Sequence, residues 1–109
     1  MNKQLRFKHN GQEYCLEYTL RSVELMEKRG FVASDITDKP MTTLPTLFAG
    51  AFLANHRFIK QETIDEIYSR LKNKQELIGK LAEMYNEPIL ALMDEPEENE
   101  GNLDWTASW

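Results

Sequence analysis

The sequence predicts an α+β fold that is mostly α: an N-terminal β-hairpin packed on a bundle of about four helices, then a disordered acidic C-terminal tail. Three observations carry this. Residues 5–8 and 13–18 alternate apolar and polar on either side of Asn10-Gly11, and from Leu20 onward apolar residues recur at three- and four-residue spacing. At Asp94 the composition changes abruptly, with six acids and no base in residues 94–109. The reading is a single domain over residues 1–93 and a flexible tail over 94–109, because 109 residues suffice for one modest core.

The hairpin follows from its turn. Asn and Gly both accept positive φ, which a tight primed turn requires, and Leu5 and Phe7 share one face as do Tyr14, Leu16 and Tyr18. An isolated hairpin is marginal in water, so this face must lie on the helices. The first helix is bounded by Thr19 as N-cap and by Gly30, which can take the left-handed position past the end. Leu20, Val23 and Met26 make its inner stripe, and Phe31 follows as the apolar contact that accompanies such a cap. A short strand over residues 31–33 and a loop marked by Asp35, Asp38 and Pro40 come next.

The most apolar stretch is residues 44–54, eleven positions without a charge. Leu44, Leu47, Phe48, Ala51 and Phe52 fall on one helical face, while Thr46, Gly50 and Ala54 leave a strip of little bulk where another backbone could approach. Thr43 as cap and Pro45 in the first turn place the start near Leu44; Asn55, His56 and Arg57 supply polar and cationic groups at the far end. Two readings stand side by side: a packed core helix, and a helix that also shows its small strip to a second protein. The stretch is too short to cross a bilayer, which takes about 20 residues.

A further amphipathic helix spans 62–71, with Ile64, Ile67, Tyr68 and Leu71 inward. Asn73 and Glu76 suggest a capping arrangement for a last helix that turns Ile78, Leu81, Ala82, Tyr85, Ile89 and Leu92 inward. Pro88 is expected to kink or break it. In the tail, low hydrophobicity and like charge predict disorder up to Leu103. Trp105 and Trp109 then suggest a tethered recognition segment, or two indoles that fold back on the domain.

Charge narrows the function. Residues 1–93 hold 13 basic against 12 acidic side chains, so the net charge of -5 belongs to the tail, and nothing in the body favours nucleic acid. The lone Cys15 and the absence of a signal peptide or membrane run point to a reducing, cytoplasmic setting with no membrane partner. No phosphate loop, nucleophile elbow, zinc motif or redox motif occurs. Asp35 and Asp38 read as turn formers, His56 as a helix-end residue and Cys15 as a small strand residue. A binding or assembly protein is therefore expected rather than an enzyme, with no catalytic, cofactor or metal residues.

Residues 16–31 (LEYTLRSVELMEKRGF), 38–52 (DKPMTTLPTLFAGAF) and 81–88 (LAEMYNEP), with the acidic tail ending in Trp, resemble small proteins of Gram-positive siphophages and prophages placed among the tail assembly chaperones. The resemblance implies a mostly helical α+β protein that self-associates and coats the aggregation-prone tape measure protein. The chaperone keeps that protein soluble in the host cytoplasm until tail tube protein polymerises around it, and is missing from the mature virion. In many phages a frameshifted longer form recruits the tube protein, and this chain has the size of the short form. The partner-binding residues expected on physical grounds are Phe48 and Phe52 with the strip Thr46, Gly50 and Ala54, and Trp105 and Trp109 in the tail. Competing expectations are a head-tail neck or completion protein that stays in the particle, and a small regulatory binder such as an antitoxin or inhibitor.

Overall fold

A computed structural model describes residues 3–94, 101, 103 and 105–109. Strands β1 (Leu5–His9) and β2 (Gln12–Leu16) form an antiparallel hairpin with Leu5 opposite Leu16 and Phe7 opposite Tyr14. Asn10 at φ 51° and Gly11 at φ 81° make the turn, both in the left-handed region that this residue pair tolerates. Phe7 and Tyr14 stack at 5.5 Å, and Tyr14 meets Phe52 edge-on at 6.1 Å, so the inner face of the hairpin is sealed by aromatic rings. Five helices follow among the described residues, and the expected α+β, mostly α architecture is what the chain adopts.

Helix α1 (Leu20–Lys28) is closed at both ends by the residues that the sequence marks. Thr19 Oγ1 accepts from the Ser22 amide at 3.1 Å, and Ser22 Oγ accepts from the Thr19 amide at 2.8 Å. At the other end Gly30 stands at φ 95°; its amide donates to Glu27 O and that of Phe31 to Met26 O, each at 3.0 Å. This is a Schellman closure, and it drops Phe31 into the core against Tyr85 at 5.3 Å. The inner stripe is Ser22, Val23 and Met26, whereas Leu20 is 51% exposed. At about 100° per residue, Leu20 lies roughly 110° from the centre of that stripe, which corrects its expected inward place.

The expected strand over residues 31–33 does not form. Among the described residues the sheet holds β1 and β2 alone, and the chain turns through Val32 O and Ala33 O into the short helix α2 (Asp35–Asp38). Helix α3 (Pro40–Gly50) starts earlier than expected: Pro40 takes the first-turn position, and Thr43 lies buried inside the helix with its amide bonded to Lys39 O at 3.0 Å. Pro45 is thus an interior proline. The carbonyl that it leaves without an amide belongs to Met41, one of the most exposed residues, where water can replace the bond.

Helix α3 also stops earlier, at Gly50 rather than near His56. Beyond Phe48 the amides of Ala51, Phe52 and Leu53 each bond three residues back, at 3.1 Å, so the chain tightens into 3₁₀-type turns. Tertiary partners take the carbonyls here: Tyr18 Oη donates to Leu47 O at 2.5 Å and the Glu17 amide to Ala51 O at 3.1 Å. The exit of β2 is therefore what terminates the helix.

Helix α4 (Gln61–Arg70) buries Ile64 and Ile67 as expected, with Tyr68 and Leu71 half-buried. Helix α5 (Lys74–Ala91) runs 18 residues without a break at Pro88, which is itself buried. Asn73 sits at φ 56° and its side chain makes no cap bond, so the expected capping arrangement is not formed. Leu81, Met84 and Tyr85 face the core, but Ile89 and Leu92 are exposed, because the last turns of α5 run past the body. Lys3 ties β1 to this helix: its ammonium meets Glu83 at 2.7 Å and its amide donates to Glu87 at 3.2 Å. The expected disorder falls largely on residues 95–100 and 102, outside the described residues; described members of the tail carry no helix or strand.

Candidate functional site

Phe48 and Phe52, on the apolar face of the central stretch, are each 1% exposed. Phe48 meets Phe52 at 5.2 Å and Tyr68 at 5.0 Å, all edge to face, so the two phenylalanines sit at the centre of the core and only an edge of Phe52 reaches the floor of a cleft. Full burial of each contributes about 1.5–3 kcal/mol relative to exposure. Of the small strip, Gly50 is covered by the Met26 side chain of α1, against which an added Cβ would collide. The close approach that the strip permits is thus made inside the chain. Thr46 remains exposed, its hydroxyl bonded back to Thr42 O at 2.8 Å, and Ala54 is half-buried.

The strip borders two joined depressions. A 210 Å³ cleft lies between Met26 of α1 and Arg29 at its C-cap, the Thr46–Gly50 side of α3, and Ile59 with Ile64. A 480 Å³ groove continues past Leu25, Leu53 and Ala54, and Arg29 and Arg57 line both. Outside the clefts, large apolar side chains stand in solvent: Met41 and Phe58 are each 87% exposed, and Leu90, Leu92 and Met93 crowd the end of α5. Arg57 lies over the Phe58 ring at 5.0 Å. Trp105 is 82% exposed and Trp109 fully so.

His56 has a role that its sequence position did not suggest. Its Nε2 accepts from the Cys15 amide at 3.1 Å, and Asn55 Nδ2 donates to Cys15 O at 3.2 Å. Together with the Glu17 bond to Ala51 O, these cover the outer edge of β2, which otherwise offers unpaired groups to any passing strand. Nε2 as acceptor places the proton of the neutral ring on Nδ1. These partners lie some forty residues apart in sequence, a separation that no local pattern reports. Cys15 is a half-buried strand residue, while Asp35 and Asp38 bound α2.

His9 is the other half-buried histidine. Its Nε2 has no hydrogen-bond partner among the described residues and lies 3.8 Å from Glu66, whose other oxygen meets Arg70 at 3.3 Å. Burial pushes the Tyr18 phenol well above its ordinary value and raises that of Tyr85 too, so both stay neutral and Tyr18 keeps the proton that it donates to Leu47 O. The hydrogen bond from Lys3 lowers the Glu83 carboxyl and that to Glu83 raises the Lys3 ammonium, both in open solvent. Among the described residues no group of three or more His, Cys, Asp or Glu side chains could hold a metal ion, and no helix is long and apolar enough to cross a membrane.

The site is a set of apolar and cationic surfaces around a closed aromatic core, in a small α+β protein that is mostly α. The chain belongs to the family described as a domain of unknown function, DUF5055, which it matches over residues 1–109. Comparison with curated proteins and with solved structures gives no match.

Proposed function

We propose that this protein is a tail assembly chaperone of a Gram-positive siphophage or prophage. It binds the tape measure protein in the host bacterial cytoplasm, holds it in solution while the tail tube assembles, and is left out of the mature virion. Tail tube protein is the second partner, met directly or through a frameshifted longer form. The observation that carries the reading is the division of the apolar surface. The core keeps Phe48 and Phe52 to itself, while Met41, Phe58, Leu92 and Met93 stand in solvent on different parts of the body. The exposed apolar run of Leu90, Leu92 and Met93 at the end of α5 suits weak, exchangeable contact with a long helical client, and it demands no chemical turnover. The resemblance of residues 16–31, 38–52 and 81–88 to phage tail assembly proteins supplies the identity of that client.

Affinity capture of the tagged chain from infected or induced cells, with mass spectrometry of the purified particles alongside, tests this. The expected result is tape measure protein in the captured fraction and no copy of this chain in mature tails. Stable incorporation into the particle would instead identify a neck or completion component, and recovery of a host enzyme would identify a regulatory binder.

A further inference from the structure

Arg29 and Arg57 flank both depressions beside α1, and neither pairs with a carboxylate among the described residues. The one acid on that lining, Glu17, is buried and already accepts a hydrogen bond from Gln4 Nε2. Between the two cations the 210 Å³ cleft is walled largely by apolar groups of Met26, Ala49, Phe52 and Ile64. An apolar slot of that size edged by guanidinium groups fits an aromatic side chain neighboured by carboxylates: the ring fills the slot and stacks on a guanidinium, while the acids pair with the free N-H groups.

The same sequence contains that ligand. Residues 94–109 carry six acids and no base, include Asp104-Trp105, and hold both tryptophans of the chain. Trp105 and Trp109 stand uncovered by the body to which they are attached. We propose that the acidic tryptophan segment of one copy docks in the Arg29–Arg57 cleft of a second copy. The contact is heterologous, groove to tail, so in a pair the copy that gives its tail keeps its groove free and the other keeps its tail free, and the association propagates head to tail unless a ring closes. This goes beyond the chaperone reading and does not rest on it.

Because both tryptophans lie in the segment, their emission reports its burial with no label. In a dilution series of the full chain, emission should move to the blue and resist acrylamide as concentration rises, in step with the mass from sedimentation, and high salt should reverse both. Arg29→Glu/Arg57→Glu and Trp105→Ala/Trp109→Ala should each remain monomeric. Mixed, the two variants should form a one-to-one complex, since one supplies the segment and the other the cleft. Arg29→Gln/Arg57→Gln, which removes charge without reversing it, covers the case of a misfolded glutamate variant, and circular dichroism verifies each fold. Red, quenchable emission and a monomer at every concentration would overturn the proposal. So would blue emission independent of concentration, which would place the segment on its own body, or self-association that survives both sets of substitutions.

Discussion

Tyr18 does two jobs with one ring. Its face packs edge-on with Tyr85 at 5.4 Å, and its hydroxyl takes up the Leu47 carbonyl at the end of α3, a group left over once the helix tightens. Tyr18→Phe keeps the packing and orphans the carbonyl, at an expected cost of about 1–3 kcal/mol by urea denaturation. Burial also raises the phenol above the ordinary value of 10.0. A folded-state value above the unfolded one means that stability is fully present below about pH 10 and is lost as pH climbs past the unfolded value, where the unfolded chain gives up the proton first. The alkaline decline should be shallower in Tyr18→Phe, and an unchanged slope would show that Tyr18 is not the group responsible. Gly50→Ala presses on the far end of the flexible Met26 side chain while gaining helix propensity, so its net effect on stability should stay within about 1 kcal/mol, and it should become stabilising in a Met26→Ala background.

At the scale of elements, the hairpin is held from outside as much as by its own turn. Asn55 and His56 clamp Cys15 on the open edge of β2, so His56→Leu should speed exchange of the Cys15 amide while exchange at the centre of α5 stays unchanged. Equal acceleration everywhere would mean that the clamp stabilises the whole fold and not the edge. The difference between what the sequence showed and what it hid follows this division. The Asn10-Gly11 turn, the Thr19 cap and the Gly30-Phe31 closure were legible because each rests on groups within a few residues of one another. The bounds of α3 were not. Pro40 and Pro45 are equally good openings by local rule, and the stop at Gly50 is imposed by Tyr18 and Glu17, remote in sequence. Helical spacing likewise placed Ile89 and Leu92 on the inner stripe of α5, but spacing cannot say how far along a helix its neighbours reach. Of the small strip, only Gly50 is closely approached, and by the Met26 side chain where the spacing suggested another backbone; no local pattern names that partner.

The whole molecule separates a closed core from an open periphery. Its aromatic centre joins the hairpin to α3, α4 and α5, while Phe58 and the last turns of α5 leave apolar groups in solvent where they contribute little to folding. Phe58→Glu/Leu92→Glu should therefore leave the melting temperature nearly unchanged, since exposed substitutions generally fall within about 0.5 kcal/mol. Loss of client binding in the same variant, with thermal unfolding intact, would assign the periphery to contact and the core to stability. The most direct measurement is the soluble fraction of a tape measure fragment co-expressed with this chain or with an unrelated small acidic protein. The account expects the fragment to stay in solution and to co-purify with this chain alone. A fragment that precipitates equally in both cases, beside a folded and abundant copy of this chain, would contradict it.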